Sequence, residues 1–331
     1  MAKTLRVGGA CLNQTPIDWE GNFNTIADAI AAAKKTQIEL LCLPELSITG
    51  YGCEDLFLSE WLPINAFEVL KRIIPLCTNI TVSVGLPVRL KNKTYNCIAM
   101  IQDGDLLGFS AKQNLAIDGV HYEYRWFTPW PKLTTETFEF EGESYTIGDI
   151  TYNVNNVKVG FEICEDAWTD DRPACRLMDR GVELILNPSA SHFAFGKSAL
   201  REKLVIESSA RFDCAYVYVN LLGNEAGRMI YDGEVLITQK GKLLAHNDLL
   251  SLSNYNLIST TIDFDKVPDE DIISPILSQN EEFAKAVGLG LYDYLRKSKS
   301  KGFVLSLSGG ADSSTCATLV AHMVHLGLET H

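Results

Sequence analysis

The chain lacks runs of basic residues and long apolar segments. Its 331 residues include 29 Lys and Arg against 42 Asp and Glu, which gives a formal net charge of −13. Nucleic acids and anionic membranes bind clustered positive charge, so this composition disfavours both as partners. No apolar run approaches the ~20 residues that a membrane-spanning helix needs. We therefore expect a protein that binds neither nucleic acid nor membrane.

The cysteines lack the spacing of a metal site or of a disulfide framework. There are nine of them, an odd number, and no two form a Cys-x-x-Cys pair. This pattern disfavours structural zinc and is typical of reduced thiols in a cytosolic enzyme. The first residues enter a strand-like run directly, so we also expect no targeting peptide. The sequence thus predicts a cytoplasmic protein without a metal site.

Buried strands and amphipathic helices alternate along most of the chain, which predicts the α/β class. With 46% hydrophobic residues, the length predicts two domains at roughly 150 residues each. Apolar runs indicate strands, helical periodicity indicates helices, and Asp-Gly or Asn-Asn pairs indicate hairpins. Strands are predicted at 5–12, 38–43, 80–86, 182–186 and 215–221, helices at 22–35, 66–76, 172–180 and 198–212, and hairpins at 95–110, 152–163 and 228–244.

The chain changes character after about residue 246. A polar, proline-containing connector follows, with one strand predicted near 255–264 and a helix at 280–299. A strand at 303–307 then runs into Ser-Gly-Gly-Ala-Asp-Ser and a helix at 314–326. Glycines let backbone N–H groups approach an anion, and a helix N-terminus favours negative charge. This segment predicts a phosphate-binding turn, although a P-loop ending in Gly-Lys-Ser/Thr is absent.

Three chemically active side chains follow predicted strands directly. Glu45 comes after the second strand, Lys112 after the 95–110 hairpin, and Cys164 after the 152–163 hairpin. Taken singly, each has an ordinary alternative: a solvated loop glutamate, a surface lysine and an inert core cysteine. Taken together, they place an acid, an amine and a thiol on rigid elements, as a nucleophilic site requires.

These residues match the Glu–Lys–Cys triad of the nitrilase superfamily, which the chain resembles over residues 3 to 265. The further motifs resemble the glutamine-dependent NAD synthetases in particular. The resemblance implies a nitrilase-type α-β-β-α sandwich at 1–265, a linker and helix at 266–302, and the start of a Rossmann-like ATP-pyrophosphatase domain at 303–331. The matching motifs are Leu-Pro-Glu-Leu at 43–46, Gly-Tyr at 50–51, Ala-Lys at 111–112, Ile-Cys-Glu-Asp-Ala-Trp at 163–168, Asn-Pro-Ser-Ala-Ser at 187–191 and Gly-Lys at 196–197.

The resemblance implies a role for each catalytic residue in hydrolysing L-glutamine to glutamate and ammonia. Cys164 is the expected nucleophile and Glu45 its general base, because a free thiol with pKa ~8.5 is mostly protonated at neutral pH. Lys112 and the backbone N–H of Glu165 are expected to face the oxyanion. Glu123 is expected to orient Lys112 or the hydrolytic water. No cofactor is expected for this step.

The resemblance also implies how the substrate is held. Ser191 and Lys197 are expected to bind the charged α-end of glutamine, and Tyr51 to line the pocket. Asp118 and Glu165 complete the expected substrate-binding set. Many family members carry a tyrosine six residues after the lysine, whereas this chain has Asp118 there. The contact at this position is therefore expected to differ from the family pattern.

The second domain is expected to bind ATP with magnesium and to amidate nicotinate adenine dinucleotide with the ammonia released. Family members form homo-oligomers, so we expect one here. Residues 303–331 suffice for one strand and one helix, so we expect a poorly packed fragment of that domain beyond about Lys301. The expected ATP-binding residues are Ser306, Leu307, Ser308, Gly309, Gly310, Ala311, Asp312 and Ser313.

Three alternatives remain open from the residues alone. The first is another amidase of the same fold, such as a carbamoylase or ω-amidase. The second is an inactive nitrilase-like scaffold that carries an ATP-binding module. The third is a papain-like Cys–His enzyme, since the six histidines include His192 and His246, either of which could lie near Cys164.

Overall fold

Two β-sheets and the helices that flank them account for most of the fold. The computed structural model describes residues 3–225, 227–269, 271–274 and 277–330. The helices are α1 (Trp19–Lys35), α2 (Trp61–Ile73), α3 (Pro173–Asp179), α4 (Lys197–Arg211), α5 (Gln279–Lys297) and α6 (Ala311–Thr330). The strands are β1 (Thr4–Leu12), β2 (Leu40–Cys42), β3 (Thr81–Leu90), β4 (Lys93–Gln102), β5 (Asp105–Ala111), β6 (Thr135–Phe140), β7 (Glu143–Gly148), β8 (Tyr152–Val154), β9 (Val157–Phe161), β10 (Leu184–Ser189), β11 (Ala215–Asn220), β12 (Leu222–Asn224), β13 (Ile230–Asp232), β14 (Val235–Gln239), β15 (Lys242–His246) and β16 (Tyr255–Asp263).

Each sheet contains a run of three parallel strands with antiparallel strands on both sides of it, and the eight-stranded sheet has one further parallel pair, β5 and β7. The eight-stranded sheet has the order β16-β1-β2-β3-β4-β5-β7-β6, and the six-stranded sheet has the order β15-β14-β11-β10-β9-β8. Strands β1, β2 and β3 are mutually parallel, as are β9, β10 and β11. Carboxyl ends of parallel strands meet at one edge of a sheet, so the loops after β2 and after β9 are placed to form a site.

The two sheets pack face to face, and helices cover the outer face of each. Val7 and Ile98 of one sheet share a buried cluster with Val159 and Val217 of the other. Helices α1 and α2 cover the outer face of the eight-stranded sheet, and α3 and α4 cover that of the six-stranded sheet. Strands buried on both faces carry nearly continuous apolar runs, which is why the sequence indicated them. The predicted α-β-β-α sandwich is confirmed.

Four details of the sequence prediction are wrong or incomplete. Within the hairpins predicted at 228–244, the turn at Asp232-Gly233 does not close one. Strand β13 pairs with β12, while β14 pairs with β11 and β15. Strand β16, expected within a connector, pairs with β1 along its full length and forms the edge of the eight-stranded sheet. The hairpin of β6 and β7 was not predicted, because its outer positions are mostly polar and exposed. Residues 303–307 form no strand.

Helix α5 attaches to the body of the sandwich through buried charges. The carboxylate of Asp293 accepts hydrogen bonds from the Asn13 side chain, at 3.0 and 3.1 Å, and from the backbone N–H of Asn224, at 2.7 Å. The Lys297 ammonium donates to the Asn13 side-chain oxygen at 2.6 Å. Helix α6 packs on α5, with Met323 buried, whereas residues 304–312 are exposed. Within the described ranges, no helix is long and apolar enough to cross a membrane.

Replacing Gly85 of β3 with alanine is expected to lower the free energy of unfolding by roughly 1–3 kcal/mol, the usual cost of overpacking. An added Cβ would lie 2.7 Å from the Pro44 carbonyl oxygen and 2.8 Å from the carbonyl carbon of Glu45. These are backbone atoms, which cannot rotate away as a side chain can. Urea unfolding measures the change.

Gly302→Ala is the matched control, because an added Cβ at Gly302 meets nothing within 4 Å. It should change the free energy of unfolding by less than about 0.5 kcal/mol. An unfolding midpoint of Gly85→Ala equal to that of the control would contradict the tight approach of β3 to the turn after β2.

Candidate active site

A buried ion cluster stands at the ends of strands β2 and β5. The Lys112 ammonium lies 2.6 Å from the Glu45 carboxylate and 2.9 Å from that of Glu123, and all three side chains are fully buried. The Asn96 side-chain amide donates a second hydrogen bond to Glu45 at 2.6 Å. The other Glu45 oxygen is buried and has no hydrogen-bond partner. That oxygen is therefore available to a reacting group.

Cys164 opens a short 3-10 turn directly after β9. Its φ of 47° lies in the left-handed region, which costs a non-glycine residue of order 1–3 kcal/mol. Asp166 holds this turn, because its carboxylate accepts from the backbone N–H of Ile163 at 3.0 Å. The same carboxylate accepts from the backbone N–H groups of Gln113, at 3.1 Å, and Asn114, at 2.7 Å. Asp166 thus ties the cysteine turn to the chain immediately after Lys112.

Burial and neighbouring charges shift the pKa values of the three groups in different directions. Burial raises the pKa of the Cys164 thiol, and the nearby Glu45 carboxylate raises it further. Burial also raises the pKa of Glu45, to about 7, although Lys112 acts against the shift. Burial alone would lower the pKa of Lys112, but Glu123 and Glu45 outweigh it and raise that pKa well above its usual value. At neutral pH the site therefore holds a thiol, a permanent ammonium and a carboxyl group able to exchange a proton.

A cavity of about 240 Å³ opens over Cys164. Such a volume fits a small polar molecule rather than a drug-sized ligand. The structure brings all five expected substrate-binding residues to its wall. These are Tyr51, Asp118, Glu165, Ser191 and Lys197. The wall thus carries charged side chains of both signs beside the Cys164 thiol, which suits a substrate with a charged amino-acid end.

His121 also lines this cavity, and the sequence analysis did not single it out. Its Nδ1 lies 3.1 Å from the Tyr51 hydroxyl, which in turn donates to Glu123 at 2.7 Å. Its Nε2 lies 3.0 Å from Nδ1 of His192. Nothing in the spacing of His121 identifies it as a site residue, because its neighbours come from distant loops.

The structural role of Asp166 had a weak indication in the sequence, since an acid three residues after Ile163 is typical of a capping position.

The histidines do not support a papain-like arrangement. His121 borders the cavity, but burial lowers its pKa to about 4, so it is a weak base at neutral pH. His246 lies against Glu234 and Ser274 instead. A Cys–His nucleophile needs an imidazole that accepts the thiol proton. The carboxylate of Glu45, with its pKa near neutrality, is better suited to that task.

The glycine turn at 306–313 is exposed and separate from this cavity. Gly309 has a φ of 83°, and the Ser308 and Ser313 hydroxyls lie 3.2 Å apart where α6 begins. The expected ATP-binding residues therefore form a loop at a helix N-terminus, without the strand that was predicted to precede it. No part of the described chain packs over this loop closely enough to bury it.

Two family models match separate parts of the chain. Residues 6–269 match the carbon-nitrogen hydrolase family, and residues 283–329 match the NAD synthase family. The first match includes every residue of the buried ion cluster and the cavity. The second begins within α5 and extends through the glycine turn.

Two solved structures and a human relative are similar to this chain. A glutamine-dependent NAD(+) synthetase from Cytophaga hutchinsonii superimposes with a TM-score of 0.90 and 56% identity, over 99% of this chain and 53% of that chain. That from Acinetobacter baumannii, in complex with ADP, gives a TM-score of 0.81 and 26% identity, over 97% of this chain and 58% of that chain. The human glutamine-dependent NAD(+) synthetase is 30% identical over 373 residues, covering 98% of this chain and 53% of the relative. The chain spans about half the length of the curated relatives it matches.

Lys112→Met is expected to lower the free energy of unfolding by ~3–5 kcal/mol, because it leaves two buried carboxylates facing each other without a cation. The loss should shrink as the pH falls through about 7, since protonation then neutralises Glu45. Urea unfolding at several pH values measures both effects.

The matched variant combines Lys112→Met with Glu45→Gln and Glu123→Gln, which removes the uncompensated charges. It should recover most of the lost stability. If Lys112→Met alone unfolds at the same urea concentration as the parent, the ammonium does not hold the cluster together.

Proposed function

This chain belongs to the carbon-nitrogen hydrolase family, and from this we propose that residues 1–265 hydrolyse L-glutamine to glutamate and ammonia. The observation that carries the proposal is the position of Cys164 at the floor of a small cavity whose wall holds Lys197, Asp118 and Ser191. A free α-amino acid presents one cation and one anion, and this wall offers a partner for each. The amide end would then point towards Cys164.

The first half of the reaction forms a thioester. Glu45 takes the proton of the Cys164 thiol as the sulfur attacks the amide carbon, and the oxyanion that forms faces Lys112 and the backbone N–H of Glu165. Each donor of this kind is worth about 10²–10³-fold in rate. Glu45 then returns the proton to the leaving nitrogen, the C–N bond breaks, and ammonia departs. The Lys112 ammonium stays charged throughout, because its pKa is far above neutrality.

The second half hydrolyses the γ-glutamyl thioester. Water attacks the thioester carbon while Glu45 accepts one of its protons, and the same oxyanion contacts stabilise the second tetrahedral intermediate. The sulfur then leaves and regains a proton. Glu123 keeps Lys112 in place through both halves by its 2.9 Å contact, and Tyr51 donates in turn to Glu123.

The remaining chain supports a second, ATP-dependent function of the whole protein. In this proposal residues 266–302 link the amidase to a synthase domain that starts at 303. The serines and glycines of the 306–313 turn would bind ATP phosphates with magnesium, and the ammonia would amidate the adenylated carboxylate of nicotinate adenine dinucleotide. The ADP complex of the Acinetobacter baumannii relative supports a nucleotide in this domain. We extend the proposal to a cytoplasmic homo-oligomer, for which the free cysteines support a reducing compartment.

Ammonia release from L-glutamine tests the proposed reaction. Cys164→Ala should abolish it, and Glu45→Gln should reduce kcat by about 10²–10⁴-fold, the usual contribution of general base catalysis. Cys175→Ala, which changes another half-buried cysteine, is the control and should keep full activity.

Preference for N-carbamoyl amines over glutamine would instead support the carbamoylase alternative. Failure of a glutamine-mimic electrophile to modify Cys164, read by mass spectrometry, would favour the inactive scaffold.

The rate of glutamine hydrolysis is expected to depend on pH through Glu45. Only the deprotonated carboxylate accepts the thiol proton, so kcat/KM should rise as the pH increases through about 7, the pKa of Glu45. Below that value the group is protonated and the rate should fall about tenfold per pH unit. A pH profile of kcat/KM measures this. A profile that stays flat down to the ordinary glutamate pKa would contradict a base whose pKa lies near 7.

A further inference from the structure

Asp118 and His121 line the cavity, His192 contacts His121 beside it, and the proposed glutaminase mechanism uses neither histidine. One oxygen of the carboxylate and one nitrogen of each ring all lie within 4.8 Å of one another. His121 Nε2 is 3.0 Å from His192 Nδ1, and His192 Nδ1 is 3.9 Å from Asp118 Oδ2. These three residues are called the mouth cluster below.

The ligand atoms of the mouth cluster are those that a zinc-class ion prefers. Two imidazoles and one carboxylate suit zinc, cobalt or nickel, whereas magnesium and calcium prefer oxygen ligands alone. Zinc–nitrogen bonds of ~2.0–2.1 Å in a tetrahedron place neighbouring ligand atoms roughly 3.3 Å apart. The two nitrogens are already close to that separation. The ligand atoms lie within 4.8 Å of one another, so the carboxylate needs to approach by at most about 1.5 Å. The loop beside it has room, because a Cβ at Gly119 would meet nothing within 4 Å.

The surroundings of His121 also fit a metal ligand. A metal-bound imidazole usually donates its other ring N–H to an acceptor that fixes the ring orientation. Nδ1 of His121 lies 3.1 Å from the Tyr51 hydroxyl, and that hydroxyl donates to Glu123, which leaves its oxygen free to accept. Asp118 is exposed, His192 is half-buried and His121 is buried, so the three residues extend from the surface into the interior.

We propose that the mouth cluster binds one divalent ion of the zinc class and that the bound ion excludes glutamine from the cavity. Metal binding itself is independent of the proposed function, whereas the exclusion of glutamine rests on it. The proposal assigns a metal site where the cysteine pattern of the sequence predicted none, because its ligands are histidines and an aspartate distant along the chain.

The bound ion would exclude glutamine because the metal and the substrate depend on the same side chains. The Lys197 ammonium lies 3.2 Å from Nδ1 of His192, the atom that would bind the metal. A metal ion there repels the ammonium and takes the lone pair it contacts, so Lys197 has to move away. Asp118 would turn its carboxylate to the ion at the same time. Both expected partners of the charged end of glutamine would thus be lost together.

Zinc binding to the purified chain, followed by isothermal titration calorimetry with zinc chloride, tests the site. The parent chain should bind one ion, and His192→Gln should weaken this binding by at least tenfold. Tyr51→Phe removes the acceptor for His121 Nδ1–H and should weaken it by about 10–100-fold. His325→Gln, which changes an exposed histidine of α6, is the matched control and should bind zinc as the parent does.

Cys164→Ala tests whether zinc binds at the mouth cluster or at the Cys164 sulfur. This variant should retain zinc binding, and cobalt bound to the parent should show no thiolate charge-transfer absorption. Loss of zinc binding in Cys164→Ala would overturn the proposed site, as would equal binding by the parent and His192→Gln.

Competition with glutamine tests the second half of the proposal. In Cys164→Ala glutamine is not consumed, so adding it should lower the apparent zinc affinity in proportion to its occupancy. Stronger zinc binding in the presence of glutamine would overturn exclusion and would mean that the ion holds the substrate. If glutamine does not bind this variant at all while zinc still does, the proposed function fails and the metal site stands.

Discussion

The Lys112 ammonium, fixed between two buried carboxylates, is the interaction on which the site depends. Burying a charge costs several kcal/mol unless a partner of opposite sign lies in contact with it. Here one cation serves both Glu45 and Glu123, so the cluster carries a net negative charge in a dry environment. Burial raises the pKa of Glu45 to about 7 and keeps Cys164 a thiol at rest, while the two carboxylates keep the pKa of Lys112 high. A carboxyl group poised near neutral pH results from this burial, which the shared cation offsets only in part.

The sandwich architecture supplies the rigidity that such a cluster needs. Glu45 and Lys112 follow strands of one sheet, whereas Cys164 follows a strand of the other, so their relative position depends on how the two sheets pack. Two features set that position locally. Gly85 allows β3 to lie directly against the turn that carries Glu45, and Asp166 joins the cysteine turn to the chain after Lys112. Neither residue touches the substrate in the proposed mechanism, yet both place groups that do.

The sequence prediction succeeded where burial dictates composition and failed where it does not. Strands such as β1 and β11 are covered on both faces, and their apolar runs are unambiguous. The β6–β7 hairpin has a largely exposed face, and its few inward residues are Phe138, Phe140, Tyr145 and Ile147, so its pattern was too weak to assign. Residues 303–307 have an apolar run like that of a buried strand, but residues 304–307 are exposed, and the run pairs with no strand of the described chain. An apolar run predicts a strand only when partners exist for its backbone.

The sequence by itself determined the fold class, the family resemblance and the three groups that follow strand ends, because short motifs around Glu45, Lys112 and Cys164 carry that information locally. Only the tertiary structure decided the electrostatic state of the cluster and the place of His121 beside Tyr51 and His192. Those properties arise from burial and from contacts between loops about 70 residues apart. Local patterns cannot encode such contacts, since a histidine in an irregular loop has no periodicity that would show which residues surround it.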